Sequence, residues 1–340
     1  MTASPHTGLD RRAWALLLVL CGAVFLEGLD VSMMGVALPE IRAEMDMSTG
    51  ALQWVVSAYV LGYGGFVLLG GRAADLLGRR RMFLFWLAIF VAFSGLGGLA
   101  SEGWLLILAR FVKGVSAGFL APAGLSIITT TFAEGAPRNK ALLVYAGAGA
   151  AGFSLGMVVG GLLTAIDWRW VFFAPVLVAS VVLAAAIRLV PDAARPPAPK
   201  GGFDLPGAFT VTGAMLLLVF AVVQATETSA GWTAATVAAS AVLFAAFVAI
   251  ERRATAPLLR MNVLRSAPLV RANVGMMLFV GAFVAFQFVA VLYLQELRGW
   301  SALETGLALT IVGIDAILAP TLTPWLVGRF GTAAVIVSAP

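Results

Sequence analysis

Along the 340 residues, apolar runs about twenty residues long follow one another, separated by short stretches of Gly, Pro and charged residues. A helix rising about 1.5 Å per residue needs roughly twenty such residues to cross a hydrocarbon layer about 30 Å thick. The runs are continuous rather than alternating apolar and polar, which excludes barrel strands and leaves helices as the spanning elements. Ten spans are predicted, at about 13–37, 51–70, 82–100, 104–131, 139–163, 168–190, 206–226, 233–250, 271–294 and 304–327, and an eleventh apolar run opens at 333–337. The expected fold class is an all-α membrane protein. Because the first run is too long for a signal-peptide core, it is expected to be a retained helix.

The longest break in hydrophobicity, PDAARPPAPKGGFDLP at 191–206, favours an extended linker. It suggests a six-helix bundle over 1–190, a cytoplasmic linker over 191–205, two additional spans over 206–250, and the beginning of a second bundle over 251–340.

Composition agrees, with 61% hydrophobic and 11% charged residues, against about a quarter charged in soluble domains. A net charge of +5 raises the question of a nucleic-acid partner. The basic residues, however, lie in short loops on alternate sides. With the N-terminus inside, the cytoplasmic loops hold Arg72, Arg79, Arg80, Arg81, Arg138, Lys140, Arg252 and Arg253, whereas the outer loops hold only Arg42, Arg169 and Arg298 beside acids such as Glu44, Asp167 and Glu296. That bias orients a multi-pass protein of the inner (plasma) membrane with a cytoplasmic N-terminus, and it makes nucleic acid unnecessary. The lone cysteine, Cys21, reads as a small core residue, and the lone histidine, His6, lies in the N-terminal tail. No catalytic cluster, metal set or GxxxxGK[ST] loop is visible, so neither an enzyme nor a resident cofactor is expected.

Five ionisable residues fall in the interior of predicted spans, away from their ends: Glu27, Asp30, Arg110, Lys113 and Asp315. A charge at a span centre costs roughly 2.5 to 3.5 kcal/mol, so such residues pair, face water or mark an ion path. Glu27 and Asp30 are three apart on the first span, as Arg110 and Lys113 are on the fourth, so each pair shares a helix face. Counted from the outer ends, Asp30 lies some 13 Å deep and Arg110 and Lys113 roughly 9 to 14 Å deep. A buried quartet of two acids and two bases is expected between these spans, either as a proton-exchanging site or as a structural ion-pair cluster. Asp315, near the middle of the tenth span, has no basic partner at its depth. It is a candidate for proton coupling or for recognising a cationic substrate, against a protonated, hydrogen-bonded interior acid.

The loop GGRAADLLGRRRMF at 70–83 joins the second and third spans. There Gly71 is expected to permit close backbone approach, Gly78 to permit a turn, and Asp75 to accept hydrogen bonds from a helix N-terminus or from Arg79 or Arg80. In the fifth span Gly152, Gly156 and Gly160, followed by Gly161, predict a flat strip for close helix contact. Phe283, Phe286, Gln287, Phe288 and Tyr293 in the ninth span could line an apolar pocket or simply pack.

Taken in order, these motifs resemble the major facilitator superfamily, and within it the fourteen-helix branch of drug:proton antiporters. Gly71, Asp75, Gly78, Arg79 and Arg80 match its cytoplasmic gating motif. LDVSMMGVALP at 29–39 is similar to the branch's helix 1 motif and carries Asp30; LILARFVKGVSAG at 106–118 resembles the helix 4 motif and carries Arg110. Gly152, Gly156, Gly160 and Gly161 resemble the antiporter motif of helix 5. Met157 stands where that motif usually has proline, Lys113 where glutamine is common, and Glu27 is an additional acid.

The resemblance implies the major facilitator fold, alternating access, protons and a drug-like small molecule as partners, and four helices beyond residue 340. A monomer is the expected state. Two rival expectations are a dedicated exporter of one endogenous metabolite and a non-transporting module for assembly or sensing.

Overall fold

The computed structural model describes residues 10–192, 204–225, 228–254, 257–259 and 265–309, with scattered positions between 322 and 331. Nine helices among the described residues are long and apolar enough to cross a membrane. They are α1 (Arg11–Met45), α2 (Thr49–Leu77), α3 (Arg79–Gly98), α4 (Gly103–Thr131), α5 (Ala136–Thr164), α6 (Trp170–Leu189), α7 (Leu205–Val223), α8 (Ala230–Glu251) and α9 (Ala267–Leu292). A π-helical turn, Tyr293–Leu297, extends α9, and 302–309 is helical again. Residues 310–321 of the tenth predicted span, Asp315 among them, lie outside the described residues.

Local chemistry sets the helix starts. Asp10 caps α1 by accepting from the Ala13 N–H at 2.7 Å, Ser48 caps α2, Asp204 caps α7 and Ser229 caps α8. Two helices outrun their apolar stretches. The first continues through Pro39 to Met45, because Ile41 still packs beside Leu38 in the core, and it stops where Asp46 turns left-handed at φ 48°. The second does not end near residue 70 but runs on to Leu77, with Ala73 and Ala74 buried. The expected loop over 70–83 is therefore a single break at Gly78, φ +101°, where a side chain would be strained. Hydropathy marks where the membrane ends, whereas packing decides where the helix ends.

The first six helices pack with internal symmetry. The first lies on α5 and α6, while α4 lies on α2 and α3. Exchanging α1, α2 and α3 with α4, α5 and α6 maps one set of contacts onto the other, as expected of two inverted three-helix repeats. The closest crossings are made by glycines. Between α2 and α4, a Cβ on Gly62 would stand 2.7 Å from the Val115 nitrogen, and one on Gly114 would stand 2.9 Å from the Tyr59 Cα. Between α1 and α5, a Cβ on Gly160 would stand 2.8 Å from the Met33 Cα. Without tail-to-tail hydrophobic drive in lipid, such close backbone contact supplies the attraction.

The seventh helix packs on α2 and on α8, outside the six-helix set. Most side chains of α9 are exposed; it meets α1 near one end, where Gln295 donates to the Val36 carbonyl and Arg42 pairs with Glu296 at 3.3 Å.

Because the Tyr59 backbone leaves no room beside it, Gly114→Val should destabilise the protein by about 3 kcal/mol, at the upper end of overpacking costs. Gly64→Ala, at an interior helical position with open space around it, should instead be neutral or stabilising by up to about 1 kcal/mol. Thermal unfolding of both variants, followed by size-exclusion chromatography, checks the contrast.

Candidate functional site

The buried ionisable residues of α1 and α4 meet between two apolar clusters. One cluster contains Leu17, Phe83 and Phe90, the other Leu38, Val55 and Phe172. At the junction Arg110 donates through Nη1 to Asp30 Oδ2 at 2.5 Å and through Nε to the Val55 carbonyl at 3.1 Å. The Lys113 ammonium pairs with Asp30 Oδ1, so both carboxylate oxygens carry a cation. Nζ also donates to Ser94 Oγ at 3.0 Å, and Ser94 Oγ donates in turn to the Phe172 carbonyl at 3.1 Å. All three charged side chains are 1% exposed or less.

Aromatic faces complete the enclosure. Tyr59 lies 4.5 Å from the Arg110 guanidinium carbon, while Phe90 and Phe172 lie 4.8 and 5.0 Å from Lys113 Nζ. Ring quadrupoles favour a cation at such distances. Asp30 is thus a fully satisfied acceptor, while two cations share one anion, leaving the triad formally at +1.

Glu27 does not complete the expected quartet. It is 8% exposed and its Oε1 has no hydrogen-bond partner. It lines a cavity of about 360 Å³ bounded by Val24, Gly28, Val31, Tyr59, Val60, Tyr63, Gly149 and Phe153. Residues three apart on a helix point some 60° from each other, which places Asp30 against α4 and turns Glu27 toward α2 and α5. The expected common face is split: an offset of three residues puts the two acids in two chemical environments.

The gating-motif residues occupy the other end of the bundle from the Arg42–Glu296 pair. Arg79 and Asp75 pair across the Gly78 break at 3.4 Å. Arg80 instead reaches α6, donating to the Ile187 carbonyl at 2.7 Å and pairing with Asp192 at 3.7 Å. The close-approach glycine is Gly70, whose Cβ would stand 2.8 Å from the Phe119 Cα, and not Gly71, whose Cβ would make an ordinary 3.7 Å contact with Pro122. In α5 the glycines serve two faces. Gly152, Gly156 and Gly160 receive α1, and Gly161 receives the chain at Ala302, where a Cβ would stand 2.7 Å from the carbonyl oxygen. Of the aromatic residues in α9 and the π-helical turn after it, Phe283 lies 5.5 Å from Phe153, while Phe286 and Tyr293 are exposed.

Sequence reasoning missed Ser94, Tyr59, Phe90 and Phe172, which surround the triad. A lone hydroxyl in the middle of the apolar third span was a usable signal for Ser94. Nothing in the sequence marks which aromatics stand over the cations.

The Major Facilitator Superfamily pattern matches residues 20–339. The chain belongs to that superfamily. As a facilitator, it is 35% identical to the lincomycin resistance protein of Streptomyces lincolnensis, over 97% of this chain and 68% of that one. It is also 35% identical to the cephamycin export protein CmcT of Amycolatopsis lactamdurans, over 98% of this chain and 70% of that one. In fold, this facilitator is similar to the xylose transporter XylE from E. coli, with a TM-score of 0.60 at 16% identity, over 94% of this chain and 74% of that one.

Breaking a buried ion pair from one side costs about 3 to 5 kcal/mol, because the other charge is left uncompensated. Asp30→Ala leaves two cations buried without an anion and should unfold more readily than Lys113→Gln, whose amide can still donate to Asp30 and Ser94. Thermal unfolding of the purified variants gives the order, and equal losses would count against this charge balance.

Proposed function

We propose that the chain exports drug-like or amphiphilic small molecules in exchange for protons by alternating access, as a member of the fourteen-helix drug:proton antiporter branch. The observation that carries this is the enclosed Asp30–Arg110–Lys113 triad beside the unpartnered Glu27 and its cavity. Relatives named for antibiotic resistance and export support the substrate class. The placement of α7 and α8 outside the six-helix set supports the branch. The 1–190 bundle, the 191–205 linker, the 206–250 pair and the unit beginning at 251 are the proposed divisions.

In this scheme the protein lies in the inner membrane with its N-terminus cytoplasmic, in keeping with the loop charge bias. Access of water to the triad weakens the hold of Arg110 and Lys113 on Asp30. A carboxylate that loses a cationic partner takes up a proton more readily, and one that regains it releases the proton. The rocking of two bundles supplies the alternation. At the cytoplasmic end Asp75–Arg79 and Arg80 with α6 close one state and must part in the other. A proton crossing 100 mV inward releases about 2.3 kcal/mol, enough for a roughly fiftyfold gradient of a neutral solute. The glycine crossings of α5 on α1, through Gly152, Gly156 and Gly160, allow sliding without side-chain interlock.

Asp30→Asn should abolish drug resistance in cells while the protein still accumulates in the membrane; undiminished resistance would remove Asp30 from coupling. For Asp75→Asn, the maximal transport rate should fall more than substrate affinity, measured as flux in proteoliposomes; a pure affinity loss would sink the gating role. Relatives named for single antibiotics favour a dedicated exporter as the second reading. Growth inhibition across a chemically varied drug panel separates it from a multidrug exporter.

A further inference from the structure

A second cavity, of about 670 Å³, lies on the flank of the six-helix set, where α2, α3 and α4 meet α7. Its aromatic wall is preformed: Trp86 stacks on Phe119 with ring centroids 4.2 Å apart, and Phe85 meets Trp86 edge-on at 5.2 Å. The lining hydroxyl of Thr212 already donates to the Gly65 carbonyl at 2.6 Å, so the wall offers no free polar group. The seventh helix packs on α2, while Met82 and Phe85 of α3 face Ala208 and Phe209 of α7 across the cavity. Protein interiors are close-packed, and an unfilled apolar gap forfeits dispersion contacts on every wall.

The surroundings define what fills this gap. A drug-sized ligand is oriented by a few placed polar groups, and this wall has none to give. An acyl chain needs none. At the rim, Leu77, Phe85, Leu205 and Phe209 are exposed apolar side chains on helices long enough to cross the membrane, so the cavity opens onto hydrocarbon.

Charge at the mouth selects the headgroup. Leu77 and Met82 place one end of the cavity beside the Gly78 break. There Arg79 is paired with Asp75, and Arg80 with Asp192 and the Ile187 carbonyl. Arg81 is exposed and makes no side-chain hydrogen bond or ion pair among the described residues. It stands one turn before Phe85 on the same helix face, and helical side chains lean toward the N-terminus, which brings its guanidinium to the mouth. No side chain caps α3, so the positive end of its dipole adds to the arginine. Asp204, at the opposite lip beside Leu205, caps α7 through the Gly207 N–H, which leaves the α3 side as the seat for an anion.

We propose that this cavity holds one acyl chain of an anionic glycerophospholipid whose phosphate pairs with Arg81, and that the lipid fills the gap between α7 and the six-helix set. The site is separate from the triad and does not depend on the transport cycle. The orientation argued above puts its mouth in the cytoplasmic leaflet, whose surface is negative.

The test titrates the purified full chain with dioleoylphosphatidylglycerol and dioleoylphosphatidylcholine and reads bound lipid by native mass spectrometry. Phosphatidylglycerol should bind about fivefold more tightly, which is what one basic residue near an anionic surface is worth. Arg81→Gln should bring the two lipids level by weakening phosphatidylglycerol alone. Ala208→Phe, which projects a ring into the cavity, should displace both. An unchanged headgroup preference in Arg81→Gln, or unchanged lipid retention in Ala208→Phe, overturns the proposal. So does an Ala208→Phe variant that loses the apolar probe N-phenyl-1-naphthylamine but neither lipid, since the cavity would then be a drug site. A second measurement uses the unaltered protein and so does not depend on how a variant folds. Phosphatidylglycerol carrying a diazirine at the end of one acyl chain should crosslink to Phe119 or Ala208, which are buried from the bulk bilayer; crosslinks confined to other residues overturn the proposal.

Discussion

One carboxylate holding two cations in a buried helical interface is the constraint around which the first six helices are arranged. Asp30 can neutralise only one charge, so the remaining positive charge must be spread over neighbours that are not acids. The structure does this with the Val55 carbonyl, the Ser94 hydroxyl and three aromatic rings, drawn from α2, α3 and α6. Every helix of the bundle except α5 therefore contributes directly to holding the charge. A cluster so distributed links the helices electrostatically, and a change in its protonation would be felt by all of them.

The triad joins α1 to α4, the two helices that exchange places under the internal symmetry. Each carries ionisable residues three apart, acids on one and bases on the other. Symmetry-related helices with opposite charge attract where like charge would repel. That attraction is confined to one depth, since above and below it the contacts are apolar. Glycine crossings set the separation of α1 from α5 and of α2 from α4, and close backbone contact there brings the charged side chains within bonding distance. Packing and electrostatics thus depend on each other: wider crossings would leave the cations out of reach of Asp30.

Ion pairs at the two ends differ from the triad in kind. Arg79–Asp75 and Arg80–Asp192 at one end, and Arg42–Glu296 and Arg169–Glu44 at the other, are partly exposed and individually worth little. Weak exposed pairs break and reform at little cost, whereas breaking the enclosed triad from one side leaves a buried charge uncompensated. The break at Gly78 leaves a single residue between α2 and α3, so movement of one helix is passed to the other with little slack.

The sequence by itself determined the helical membrane class, nine of the spans, the superfamily, and the matching depth of Asp30 on the first span and Arg110 and Lys113 on the fourth. Those follow from local quantities: run length, residue type and rise per residue. Tertiary structure alone decided that Asp30 binds both cations while Glu27 faces a cavity, because a 60° difference in direction has no sequence signature until the neighbouring helices are placed. It also decided that Gly70 rather than Gly71 touches α4, that Gly161 departs from the strip facing α1, and that α2 runs on past its apolar stretch. Each depends on which helix lies alongside, a property of distant residues that no local pattern encodes.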